Sequence, residues 1–119
     1  MPLPKAIRRL TPDAVRESVL LRAVGVGTGL IPPRTMHTDA ESALLARLAA
    51  GRSRAVEIGV YEGSSAVVLA RALPPDATLH LIDPFTANAT LRPGQSGTER
   101  ATRRVVERAA RARGGPALH

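Results

Sequence analysis

The stretch EIGVYEGSSA, residues Glu57 to Ala66, brings two carboxylates, two glycines, a tyrosine and two serines together behind a short apolar run. AVEIGV (55–60) reads as a β-strand and SSAVVLARAL (64–73) as a helix, so the stretch joins a strand's carboxyl end to a helix's amino end. In open α/β sheets, ligands bind in the crevice beyond such strand ends. Gly59 lets the backbone lie close to a ligand, and Gly63 permits a sharp entry into the helix. Ser64 and Ser65 offer hydroxyls, beside the free N–H groups of a helix start, to a carboxylate. Glu57 has the opposite character: it attracts a cation or accepts hydrogen bonds.

A second acid follows at the expected place. LHLIDPF (79–85) reads as the next strand, and Asp83 at its tip lies 26 positions after Glu57. An acid there can accept hydrogen bonds from ribose hydroxyls. The pair therefore points to a ribose-bearing ligand, the alternative being two ordinary strand-end acids around a tight turn. A dinucleotide would call for G-x-G-x-x-G, but Tyr61 stands where the second glycine should be. Its side chain obstructs a pyrophosphate, and Glu62 would repel one. A ligand with a ribose, an amino-acid carboxylate and a positive centre fits better, and S-adenosylmethionine has all three.

VEIGVYEGSSAVVLARAL followed by LHLIDPF resembles motif I and the second-strand acid of class I S-adenosylmethionine-dependent methyltransferases. The form from Glu57 to Ser65 is similar to that of the catechol and caffeoyl-CoA O-methyltransferases, and MHTDAESALLARLAA resembles the helix before their first strand. The resemblance implies that Gly59, Tyr61 and Ser65 line the methionine portion, next to the helix entry that Gly63 permits. It implies that Asp83 holds the ribose, that Glu57 supports the cofactor's amino end, and that Met36 and Thr38 flank the cofactor. It spans residues 36–119 and supplies two strands and the start of a third, out of the family's seven. Pro84 and Phe85 depart from the commoner residues after the acid and resemble a broad bacterial methyltransferase group.

The expected function is methyl transfer to a small-molecule acceptor, with oxygen as the expected acceptor atom. This chain would supply the cofactor-binding half. The family's metal ligands and base follow later strands, so no metal ligand and no catalytic residue is assigned, and the need for a divalent metal stays open. Weak cofactor binding and little turnover are expected of these residues alone. A non-catalytic cofactor-binding remnant or interaction module is the alternative, and a nicotinamide-dependent oxidoreductase fragment a further one. His37, near the cofactor rim, reads as a partly exposed loop histidine rather than a base, and His80 as a structural strand residue.

The elements that must position these residues alternate as strand, helix, strand, helix, strand. That order predicts an α/β fold: a partial Rossmann-like parallel sheet (βαβα and the start of a third strand) preceded by two helices. Residues 1–35 form an arm and first helix, and 36–119 the half-domain. The arm (1–10) precedes a helix capped by Thr11-Pro12-Asp13 that runs through AVRESVLLRAV and stops at GVGTG (25–29). GVGTG looks like a phosphate loop but follows a helical pattern, so it reads as a flexible connector. Thr38 and Glu41 have capping-box spacing, Leu44, Leu45 and Leu48 mark an apolar face, and Gly51 a stop. Residues 86–97 read as a turn-rich loop. TERATRRVVERAARAR buries Ala101, Val105, Val106 and Ala109, Gly114-Gly115 closes it, and PALH begins the third strand.

Composition narrows the remaining classes. The chain has 119 residues, no cysteine and only 2% aromatic residues. A disulfide framework and a thiolate metal site are thereby excluded, and the core must be built from Val, Leu, Ile and Ala. The net charge of +7 comes from 17 basic residues of which all but Lys5 are arginine. Without lysines or aromatics interleaved for stacking, nucleic acid is not the expected partner. No apolar run reaches the roughly 20 residues of a membrane span, and a cytoplasmic location is the expectation. Self-association stays open, since a three-stranded parallel sheet leaves an open edge and an uncovered apolar face.

Overall fold

The computed structural model describes residues 18–85 and 98–119. The arm, the cap at Thr11 and the loop 86–97 lie outside the described residues. The described chain is mixed α/β, in the order α1 (Val19–Thr28), α2 (Asp39–Ala49), β1 (Arg54–Ile58), α3 (Ser64–Ala72), β2 (Thr78–Ile82), α4 (Glu99–Arg111) and β3 (Ala117–Leu118). The three strands form one parallel sheet in the order β1-β2-β3. Ala55 pairs with Leu79 and Glu57 with Leu81, while Leu79 also pairs with Leu118.

Register and the two-residue period of a strand decide which side chains are covered. Ala55, Leu79, Leu81 and Leu118 join a core with Ala66, Leu69, Ala70 and Leu73 of α3 and its end, and with Val106, Ala109 and Ala110 of α4. Leu73 and Leu79 are fully buried, and each such side chain stabilises the fold by about 1.5–3 kcal/mol. The opposite face carries Val56, Ile58 and Ile82, all exposed, with Ile58 81% accessible. Parallel sheets normally carry helices on both faces; among the described residues this one is covered on one.

Two helix boundaries differ from the sequence reading. Ser18 is extended backbone, and its side chain accepts a hydrogen bond from Leu21 N–H (3.4 Å) as the cap of α1. The expected run through Ser18 is therefore broken there. GVGTG is not a connector: α1 continues through Thr28 and ends at Gly29, whose φ of 81° lies in the left-handed region. Gly25, Val26 and Gly27 are buried. A Cβ on Gly25 would stand 2.4 Å from Ile31 Cδ1, and Gly27 faces Ala101 of α4. The glycines thus allow close packing, which offsets their low helix propensity.

Both strands end earlier than the sequence reading, β1 at Ile58 and β2 at Ile82, while the signals that bound α2 hold. Thr38 and Glu41 form a complete capping box, and Gly51, with φ 75°, follows the end of α2. The apolar face of α2 is narrower than expected. Leu45 and Ala49 join the core, whereas Leu44 and Leu48 are exposed. Ala101, Val105, Val106 and Ala109 of α4 are buried as expected. One of its arginines, though exposed, ties α1 to α4: Arg108 Nη2 donates to the Gly27 carbonyl (2.7 Å).

Candidate functional site

The turn between β1 and α3 is closed from three sides. Its sharpness comes from three alternate positions with positive φ: Gly59 (84°), Tyr61 (56°) and Gly63 (90°). A Cβ on Gly63 would meet Val106 and Thr102 of α4 at 3.1 and 3.2 Å, so this glycine serves both conformation and packing. Gly59 differs, since a Cβ there would have no atom within 4 Å. The space above Gly59 is open, as a ligand lying on the backbone requires.

Asp83 holds the turn from the β2 side. Its Oδ2 accepts from the N–H groups of Val60 (2.8 Å) and Tyr61 (2.9 Å), and its Oδ1 from Phe85 N–H (2.7 Å). A carboxylate offers about four lone-pair directions, so three backbone donors leave about one for a further partner. A cleft of about 260 Å³ runs on from Asp83 between β2 and α4, bordered by Phe85, Thr102, Arg103, Val106 and His119.

Glu57 sits on the other side of the turn. Ser65, in the first turn of α3, donates its hydroxyl to Glu57 Oε1. Glu57 Oε2 is buried and has no hydrogen-bond partner among the described residues. Burial pushes the Glu57 carboxyl up, and the nearby Asp83 charge adds to this. The Ser65 hydrogen bond and the His37 charge oppose the rise without cancelling it. An ionised carboxylate with an unpaired buried oxygen is costly unless a donor or a cation meets it.

Glu62 plays a part that its position in the motif conceals. It is 4% exposed, and it accepts from Arg22 Nε on Oε1 (2.6 Å) and from Arg22 Nη2 on Oε2 (2.6 Å). Arg34 N–H also donates to Oε2 (2.7 Å). Burial alone would raise its pKa, but these hydrogen bonds and the charges of Arg22 and Arg34 outweigh it, so the carboxyl lies below its ordinary value. Glu62 therefore spends its charge inside the protein as a brace between α1 and the turn. The repulsion of a pyrophosphate expected of it does not stand. Tyr61 keeps its place, its carbonyl accepting from Thr102 Oγ1 (2.7 Å) and its hydroxyl from Arg34 Nη1 (3.2 Å).

Thus Glu57, Gly59, Tyr61, Gly63, Ser65 and Asp83 are brought together around one turn. Met36 is 85% exposed and takes no part in its hydrogen bonds. Thr38 caps α2. His37 is a partly exposed loop residue, as expected, and its ring is held: Nδ1 lies 2.6 Å from Ser42 Oγ and Nε2 3.2 Å from Ser64 Oγ. His80 stacks on His119 with ring centroids 5.2 Å apart. Among the described residues, no group of three or more His, Asp or Glu side chains could hold a metal ion, and no helix is long and apolar enough to cross a membrane. Sequence reasoning missed the Arg22–Glu62 brace because its partners lie 40 residues apart; an acid inside a glycine turn was the one available hint.

Comparison with known proteins adds no relative. No family model matches the chain, and neither does a curated protein or a solved structure.

Proposed function

We propose that this chain is the cofactor-binding half of a class I S-adenosylmethionine-dependent methyltransferase with a Rossmann-like sheet. The observation that carries the reading is Glu57 Oε2, a buried carboxylate oxygen at the carboxyl end of β1 without a partner among the described residues. It lies beside a glycine with open space above it. The α-ammonium group of the cofactor's methionine supplies both the hydrogen bond and the charge that this oxygen lacks. Ser65 holds Glu57 in place for that contact. The start of α3, which has no side-chain cap, faces the methionine carboxylate. Asp83 keeps one acceptor direction for a ribose hydroxyl, and the cleft beside it takes the nucleoside. The strand order β1-β2-β3 agrees with the first half of a Rossmann sheet, in which the fourth strand pairs with the outer edge of the first.

Bound there, the cofactor would supply an electrophilic methyl group to the acceptor, and the rate would come mainly from positioning and desolvation. The residues described here bind and orient the cofactor. The uncovered sheet face of Val56, Ile58 and Ile82 favours a second reading, cofactor binding without turnover by these residues alone. A nicotinamide dinucleotide is disfavoured by Tyr61 but no longer by Glu62.

Calorimetry with S-adenosylhomocysteine and with NAD tests the reading. S-adenosylhomocysteine is expected to bind and NAD not. Asp83→Ala is expected to weaken binding by at least about tenfold, the equivalent of one hydrogen bond to a charged group. Unchanged affinity in Asp83→Ala would remove the ribose assignment, and preference for NAD would remove the cofactor class.

A further inference from the structure

The contacts of His37 describe something the cofactor reading does not use. Ser64 Oγ lies 3.2 Å from His37 Nε2, and His37 Nδ1 lies 2.6 Å from Ser42 Oγ. A hydroxyl within hydrogen-bond reach of an imidazole, itself oriented by a third group, is the arrangement of an activated nucleophile. The elements that hold it are independent of each other. Ser64 opens α3 directly after the positive-φ Gly63, His37 precedes α2, and Ser42 sits in the first turn of α2. Thr35 Oγ1 also lies 3.1 Å from Ser64 Oγ, giving the serine a second polar neighbour.

We infer that Ser64 is an acyl-accepting nucleophile with His37 as its base and Ser42 as the positioning residue, acting on activated carboxylic esters. In the tautomer protonated at Nδ1, His37 donates to Ser42 Oγ and turns the Nε2 lone pair toward Ser64. Ser64 Oγ bonds to the ester carbonyl carbon as its proton passes to Nε2. The carbon–oxygen bond to the leaving alcohol then breaks, and the alkoxide takes that proton from His37. Water repeats the sequence on the acyl-serine, releasing the acid and restoring the hydroxyl. The imidazolium formed on the way lies within electrostatic reach of Glu41 and Glu57, whose charges stabilise it. Ser65, one residue on, is committed to Glu57, which is why the inference falls on Ser64.

The strand–turn–helix setting is similar to that of a nucleophile elbow, except that the positive φ falls on Gly63 rather than on the serine and the G-x-S-x-G sequence is absent. The N–H of the residue after the nucleophile, here Ser65, is one such elbow's oxyanion donor. This inference does not rest on the cofactor reading, and either can fail alone.

The test uses the full 119-residue chain and p-nitrophenyl acetate. A nitrophenolate burst is expected, with one acetyl group retained in the intact mass and located on Ser64. Ser64→Ala is expected to lose it, and His37→Asn to slow it by about 10²-fold or more. The pH dependence of the wild-type burst should vanish in His37→Asn. No burst, or acetylation only at Lys5 or the amino terminus, overturns the inference. Since the chain has no cysteine, Ser64→Cys gives a second reading that does not depend on ester turnover. Its alkylation by iodoacetamide is expected to slow by at least tenfold when His37→Asn is added. An unchanged rate overturns the assignment of His37 as the base.

Discussion

Replacing Arg22 with methionine tests the brace that holds the turn. The guanidinium makes two hydrogen bonds of 2.6 Å to Glu62, and the two side chains are only 18% and 5% exposed. Methionine keeps most of the apolar stem and removes the charge, leaving a buried carboxylate with Arg34 N–H as its remaining hydrogen bond described here. Removing one member of a buried pair costs about 3–5 kcal/mol. A domain is stable by only about 5–15 kcal/mol, so Arg22→Met should unfold at much lower urea. The sign of the pH effect follows from the lowered pKa of Glu62. Its stabilisation is present above the unfolded carboxyl value of about 4.3 and is lost as pH falls through the lower folded value. In Arg22→Met, burial acts with less opposition, so the carboxyl is pushed up and acid relieves it. The gap between wild type and variant should therefore narrow from pH 7 toward pH 4. Adding Glu62→Gln, which removes the stranded charge but keeps an acceptor for Arg34, should recover at least half of the loss. A cost below about 1 kcal/mol at pH 7, on a scale where exposed pairs contribute 0–1, would refute this account of the brace. So would a gap independent of pH.

Glu57→Gln should raise the melting temperature of the ligand-free chain at neutral pH while reducing S-adenosylhomocysteine affinity. The folded carboxyl is raised, so wild type loses stability as pH rises from the unfolded value through the folded one, and glutamine escapes that loss. Scanning calorimetry at pH 5 and pH 8, with the larger difference at pH 8, checks the sign. Gly63→Ala should cost about 1–2 kcal/mol for the left-handed backbone, with a further cost from the approach to Val106 and Thr102; urea midpoints measure it.

What the sequence disclosed was mostly local. β1, α3 and β2 were readable because strand period, helix period and the glycine turn lie within 30 residues, and the Thr38–Glu41 box because its partners are three apart. The turn residues were readable for the same reason, since Glu57 and Ser65 are neighbours across one connection. What escaped depends on distant partners. GVGTG is helical because Ile31 and Ala101 pack on glycines that a propensity reading treats as breakers. Leu44 and Leu48 matched the helical period, yet α2 meets the core only through Leu45 and Ala49. Asp83 was placed correctly at the strand tip, but its three bonds to backbone N–H groups could not be read from spacing. Glu62 looked like a repelling charge because Arg22 lies 40 residues away.

The most direct test of the central claim compares S-adenosylhomocysteine with its analogue lacking the α-amino group, by calorimetry on wild type and Glu57→Gln. A hydrogen bond from a charged donor contributes about 1.5–3 kcal/mol. The account therefore predicts that wild type prefers the amino compound by about 10- to 150-fold, and that Glu57→Gln loses most of that preference. Equal affinity of wild type for the two compounds, or a preference that survives in Glu57→Gln, would contradict it.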